Sequence, residues 1–113
     1  MDCIFCKIAA GEIPAEKVYE DDHVLAFHDI NPQAPLHVVI IPRRHIATIN
    51  DIGEADTDLM GRLLQAAKAI AAREGVAGDG YRLVVNVNRG GGQVVFHIHM
   101  HLMAKRPFGW PAG

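Results

Sequence analysis

Apolar residues recur along the chain in two rhythms, and the change from one to the other marks out its elements. Between Asp56 and Glu74, Leu59, Met60, Leu63, Leu64, Ala67, Ile70 and Ala71 return every three or four positions, opposite Asp58, Arg62, Gln65 and Arg73. This predicts one long amphipathic helix, with Asp56 or Thr57 placed to cap its start and Gly75 its end. Residues 3–10 repeat the pattern on a smaller scale. Ile4, Phe5 and Ile8 fall on one side, and Gly11, then Pro14, stop a short N-terminal helix.

Elsewhere the period shortens to two or the apolar run becomes continuous. Val18-Tyr19 and Val24-Leu25-Ala26-Phe27, separated by Glu20-Asp21-Asp22-His23, predict a hairpin with an acidic turn. His37-Val38-Val39-Ile40-Ile41, ended by Pro42, predicts a central strand, and Tyr81 to Asn86 and Phe96 to Leu102 predict two more. Asn31-Pro32-Gln33-Ala34-Pro35 reads as a rigid loop. The sum is an α+β fold: an antiparallel sheet of about five strands, one long helix packed on it and a short N-terminal helix. With 113 residues, half of them hydrophobic, the chain is expected to form one domain, residues 1–113.

The last of these strands carries the chemistry. In Phe96-His97-Ile98-His99-Met100-His101-Leu102 three imidazoles occupy every second position. A strand would set them on one face, about 6.5 to 7 Å apart. Imidazole titrates near neutrality and can serve as nucleophile, acid, base or metal ligand. A plainer reading is a row of polar residues on a wet face, or three ligands of one metal; three in register behind a glycine run favour a catalytic or ligand role. Gly90-Gly91-Gly92 permits backbone shapes closed to other residues, and its amides are candidates for an oxyanion or phosphate cradle rather than a merely flexible turn.

A net charge of −2 and a pI near 6.4 provide no general attraction to nucleic acid, so nucleic acid is not expected as a partner and phosphate recognition must be local. The N-terminus lacks the basic start and apolar run of a signal peptide, and no segment reaches membrane-spanning length. A cytoplasmic location and no membrane association are expected. Cys3 and Cys6, three positions apart, then suggest a metal clip or redox pair.

These motifs together closely resemble the histidine triad (HIT) family, in particular its Hint branch of nucleoside phosphoramidate hydrolases. The resemblance rests on His97-Ile98-His99-Met100-His101-Leu102-Met103 and extends through Ile13-Pro14, Tyr19-Glu20-Asp21-Asp22, Ala26-Phe27-His28-Asp29-Ile30, Pro32-Gln33-Ala34-Pro35, His37, Ile41-Pro42, Gly91-Gly92-Gln93 and Trp110-Pro111. It implies that His99 attacks the α-phosphorus of a purine nucleoside 5′-phosphoramidate or acyl adenylate. A covalent nucleotidyl-histidine would follow, from which water releases the nucleoside monophosphate. No catalytic metal is required by that scheme.

By the same resemblance His101 and His37 bind nonbridging oxygens or pass a proton to the departing amine, and Asn86, Gly92, Gln93 and Val94 lie on the phosphate side. Asp29 would hold the ribose hydroxyls, and Ile4, Phe5, Ile8, Phe27 and Ile30 would wall the base pocket. Apolar residues at such spacing are otherwise core, and both roles can meet at one edge. Val94 departs from the family pattern, which has serine there, so a hydroxyl near the leaving group is missing. Cys3, Cys6, His45 and His97 match a structural zinc site found in some bacterial relatives, which would leave His99 and His101 for phosphate chemistry.

The tail Lys105 to Trp110 resembles a segment at the family's dimer interface, implying a homodimer in which Trp110 reaches the partner subunit. Three other functions fit the residues. These are hydrolysis of dinucleoside polyphosphates, regulatory nucleotide binding with little turnover, and metal-dependent hydrolysis with the triad as ligands.

Overall fold

The computed structural model describes residues 2–113. Five strands, β1 (Lys17–Glu20), β2 (Val24–His28), β3 (Leu36–Pro42), β4 (Arg82–Val84) and β5 (Met100–Ala104), form one antiparallel sheet in the order β1-β2-β3-β5-β4. Two α-helices accompany them, α1 (Ile4–Ala9) and α2 (Thr57–Arg73). The α+β expectation holds, and both helices lie where the apolar spacing put them.

The sheet is covered on both faces, because alternate residues of its central strands feed two separate cores. Val38, Ile40, Met100 and Leu102 pack with Leu63, Ala66, Ala67, Ile70 and Ala71 of α2. Leu25, Phe27, Val39 and Ile41, on the opposite face, pack with Phe5 and Ile8 of α1. All seven residues of β3 are therefore buried. That explains why its sequence reads as a continuous apolar run rather than an alternation.

At six residues, α1 is too short to persist alone, and the rest of the chain holds it in place. Arg43 donates to the Ala9 carbonyl at 3.2 Å and to the Asp21 carbonyl at 2.8 Å, and pairs with Glu20 at 2.9 Å. One guanidinium thus ties α1 to the β1–β2 turn. The turn itself is narrower than the expected four residues. Asp21 closes it by accepting from the amides of His23 and Val24, both at 2.8 Å.

Two expectations are corrected. Asp56 stands at the start of α2 but does not cap it. Its carboxylate accepts from Gly53 N at 2.8 Å and pairs with Arg44. Nor does regular pairing run through residues 96–102, since β5 begins only at Met100. The register supplies the reason. Met100 faces Ile40, so continuing the ladder would set Ile98 against Pro42, which has no N–H to give. Ile98 instead donates to the Ile46 carbonyl at 2.8 Å.

Burial of α2 against the sheet is the main apolar contribution to this architecture, and Leu63, 2% exposed, sits at its centre. Leu63→Ala is expected to lower unfolding free energy by about 2–5 kcal/mol. Urea unfolding measures it, and a loss under about 1 kcal/mol would contradict the packing described here.

Candidate active site

Although pairing stops at Met100, the alternation expected for a strand survives beyond it. Ile98, Met100 and Leu102 point into the α2 core. His97 and His99 make edge-on contacts with Phe5 on the other face, at centroid distances of 5.9 and 5.1 Å, and His99 meets His101 at 5.0 Å. His37, from β3, joins them at 5.0 Å from His101.

Hydrogen bonds settle where the protons sit on these rings. His99 Nδ1 lies 2.8 Å from the His97 carbonyl, and a carbonyl only accepts. His99 Nδ1 therefore carries the proton, and in the neutral ring Nε2 keeps a free lone pair. His37 Nδ1 accepts from the Gln33 amide at 3.0 Å, so its own proton is on Nε2. That N–H donates to His101 Nδ1 at 2.8 Å, which leaves His101 with an Nε2–H. One ring is set to offer electrons and another to offer a hydrogen bond.

His99, His101 and His37 line a cavity of about 430 Å³ together with Asp29, Asn86, Gly92, Val94, Phe5 and other residues. Burial lowers the pKa of His37 against some opposition from Asp29. Burial, with His99 and His37 adding to it, brings His101 down to about 4. Both rings are thus neutral around pH 7, as their shared hydrogen bond requires.

Several of the expected residues stand elsewhere. Gln93 is buried, but its side chain accepts from Asn88 N and donates to the Ala47 and Val95 carbonyls, so it braces the loop from behind. The amides of Gly91, Gly92 and Gln93 are donated to Asn88 O, Arg89 O and Asn88 O. The cradle expected from the glycine run is therefore not made by these three. A short 3-10 turn has already engaged them. Of the five apolar residues assigned to the base, Phe5 lines the cavity, while Ile8 and Phe27 are buried beside it. Ile4 lines a neighbouring groove, and Ile30 is fully exposed. Trp110 is 88% exposed, so it is not buried against its own subunit.

Gln33, which lines the cavity and donates its amide to His37, was not expected as a site residue. Its contribution is a backbone amide, which no side-chain motif advertises.

A second cluster lies beside the first. Cys3, Cys6, His45 and His97 each direct one ligand-capable atom to a common centre, all within 4.8 Å of one another. His97 Nε2 donates to the Pro42 carbonyl at 2.8 Å, leaving the Nδ1 lone pair for that centre. Nδ1 lies 3.4 Å from Cys3 Sγ, 3.6 Å from Cys6 Sγ and 3.2 Å from His45 Nδ1, and Cys6 Sγ lies 3.3 Å from His45 Nδ1. Tetrahedral zinc with ordinary bond lengths has edges of roughly 3.3 Å between nitrogens and roughly 3.6 Å between sulfur and nitrogen. The donor set fits.

Asp29, His37 and His101 form another group of possible ligands. There, however, the two nitrogens are 2.8 Å apart and share a proton, and the His37 lone pair is already engaged by Gln33. That arrangement is a hydrogen-bonded relay, not a metal cage.

Comparison with known proteins agrees with the architecture. The chain is 53% identical over 108 residues to the purine nucleoside phosphoramidase of Escherichia coli (strain K12), covering 96% of this chain and 91% of the relative. It superposes with TM-score 0.97 on a HIT family hydrolase from Legionella pneumophila Philadelphia 1, at 57% identity and covering 99% and 100% of the two chains. With a histidine triad protein from Clostridium difficile the TM-score is 0.94 at 44% identity, covering 96% and 95%. Residues 10–108 match the HIT domain, and with the relatives aligned along nearly its whole length the chain belongs to the HIT domain family.

Proposed function

We propose that the protein is a hydrolase of purine nucleoside 5′-phosphoramidates acting through a covalent nucleotidyl-histidine. The observation that carries this reading is the proton on His99 Nδ1, which frees Nε2 as a nucleophile in a ring bordering the cavity. In the first step the Nε2 lone pair forms a bond to phosphorus, and the bond from phosphorus to the leaving nitrogen breaks. That nitrogen takes a proton and departs as an amine. The His101 Nε2–H, with the His37 N–H behind it, is the hydrogen-bond donor nearest to hand for the departing group, and the proton itself is taken from solvent. In the second step water attacks phosphorus and returns to solvent the proton that the first step consumed, the P–Nε2 bond breaks so that His99 leaves as neutral imidazole, and the nucleoside monophosphate is released.

The purine preference is supported by the name of the Escherichia coli relative and by the Phe5–Phe27 edge contact at 5.6 Å beside the cavity. In the proposed complex Ile4, Ile8 and Ile30 complete the base pocket, and Asp29 takes the ribose hydroxyls. Asn86, Gly92, Gln93 and Val94 surround the phosphate, with Gln93 acting through the loop it braces. The cytoplasm is the proposed location, in accord with the absence of any helix, among the described residues, long and apolar enough to cross a membrane. Nucleic acid is not a proposed partner.

Cys3, Cys6, His45 and His97 are the residues that would hold a structural zinc. When bound, such an ion fastens the first turn of α1 to the sheet and supplies no reacting group. Burial, helped by Cys3, raises the Cys6 thiol above the usual range, so metal uptake is accompanied by release of a proton. A homodimer is proposed on the exposure of Trp110 and of Leu64 on the outer side of α2.

Three measurements test these statements. Adenosine 5′-phosphoramidate should be hydrolysed by the wild type, with a nucleotidylated protein trapped on acid quench. His99→Ala should lose at least about a thousandfold in kcat and all trapping; undiminished turnover would remove the nucleophile. Native mass spectrometry should show twice the 12.3 kDa of one chain, with one zinc per chain. Cys6→Ser should lose the metal and melt at lower temperature, and a metal-free wild type of unaltered melting temperature would refute the structural role.

The third is a pH dependence of stability. His37 and His101 have folded-state pKa values below their unfolded ones, so between about 6.5 and about 4 the unfolded chain binds more protons. Their contribution is complete above pH 6.5 and is lost as pH falls toward 4. The urea midpoint should decline across that window, and less steeply in His101→Gln.

A further inference from the structure

Two groups set the His37 tautomer, the Gln33 amide that donates to Nδ1 at 3.0 Å and the Asp29 carboxylate 3.5 Å from Nε2, and the Gln33 amide sits in an exposed loop. Gln33 is itself exposed, and Ile30 in the same loop is wholly so. Of the loop's apolar residues Ala34 is buried and Ile30 is not, so packing fixes only one end of it. Polar contacts do the holding. Asp29 accepts from the Asn31 amide at 2.7 Å, and the Gln33 side chain donates to the Asn31 carbonyl at 3.0 Å.

A hydrogen bond reaches this loop from a distant part of the chain: Arg106 Nε donates to the Gln33 carbonyl at 3.1 Å. Arg106 is well seated for this. Lys105, just after β5, adopts a left-handed backbone with φ of 70°, which turns the chain. The Arg106 guanidinium also donates to the Pro107 carbonyl at 3.2 Å and lies 4.2 Å from the centre of the Phe108 ring. Arg82 of β4 covers the same ring at 5.0 Å and donates to the Gly109 carbonyl at 2.6 Å. The anchor is thus fixed at its own end before it engages the loop.

We propose that Arg106 is a positioning residue for the reaction: by holding Gln33 from the C-terminal segment it keeps the Gln33 amide on His37 Nδ1. That contact keeps the Nε2–H of His101 available to the phosphate or leaving group. Without it only Asp29 holds the proton on His37 Nε2, a second population with the proton on Nδ1 appears, and in that population the hydrogen bond to His101 reverses and His101 offers a lone pair where the reaction needs a donor. Arg106 touches no substrate in this scheme. Its effect falls on kcat rather than on binding.

This inference rests on the phosphoramidase reading for its kinetics but not for its tautomer, so the two are measured separately. In the substrate-free protein, ¹⁵N NMR of the imidazoles should show His37 as the Nε2–H form in the wild type and a mixture in Arg106→Ala. With adenosine 5′-phosphoramidate, Arg106→Ala should lose roughly 10- to 100-fold in kcat, with KM within about twofold. Millimolar methylguanidine should restore part of the loss, and Arg106→Lys should fall between the two.

An unchanged His37 tautomer in Arg106→Ala would overturn the proposal, whether or not the variant melts at lower temperature. So would a loss confined to KM. If the wild type fails to turn over the phosphoramidate, the proposed activity falls, while the tautomer measurement still decides for or against Arg106. Should Arg106→Ala not fold, Arg106→Lys carries the same NMR comparison, and a wild-type tautomer there together with wild-type kcat would overturn the proposal.

Discussion

The hydrogen bond from His99 Nδ1 to the His97 carbonyl is the constraint on which the site depends. It is short, local and buried, and it decides which nitrogen of the ring can act as a nucleophile. A histidine two residues away provides the acceptor, so the orientation of the His97 peptide matters as much as any side chain. That peptide is held in turn by its own ring, pinned between the Pro42 carbonyl and the cysteine–histidine cluster. Because Pro42 cannot continue the ladder, its free carbonyl is available for a side chain, and the irregular stretch before β5 becomes the place where the two sites join.

The division of the sheet into two cores makes this possible. α2 buries one face and provides most of the apolar packing, which leaves the other face to be shared between α1 and the histidines. Val39 and Ile41 belong to that second core, while His37 on the same strand and His101 opposite Val39 belong to the cavity. The histidine cavity is therefore a continuation of a hydrophobic core, and burial does most to lower the basicity of His37 and His101, over the opposition of the Asp29 carboxylate.

Much of this was readable in the residues, and the failures have physical causes. The 3.6-residue stripe gave α2 almost to its ends, and Gly75 does take the positive φ of 73° that stops it. The histidine spacing correctly put three rings on one face, yet the strand that would explain it does not extend to His97, since pairing partners lie outside a local pattern. Cys3, Cys6 and His45 come together with His97 although His45 is 39 residues from Cys6; only the family resemblance made that pairing visible. The Asp56 carboxylate was legible as a cap by type, but Gly53 and Arg44 compete for it. The hydrogen bonds that assign protons, from Gln33 to His37 and from His99 to His97, end on main-chain atoms, and the sequence does not encode those by residue type.

The placement of α1 has a consequence for motion. Its Phe5 ring walls His99 at 5.1 Å, and the same short segment carries both cysteines of the neighbouring cluster. Fraying of six residues is a low-energy excursion in most proteins, but here it would uncover the imidazole and dismantle the ligand set in a single event. Integrity of the cysteine–histidine cluster at one place and exclusion of bulk water at the other therefore rise and fall as one cooperative unit.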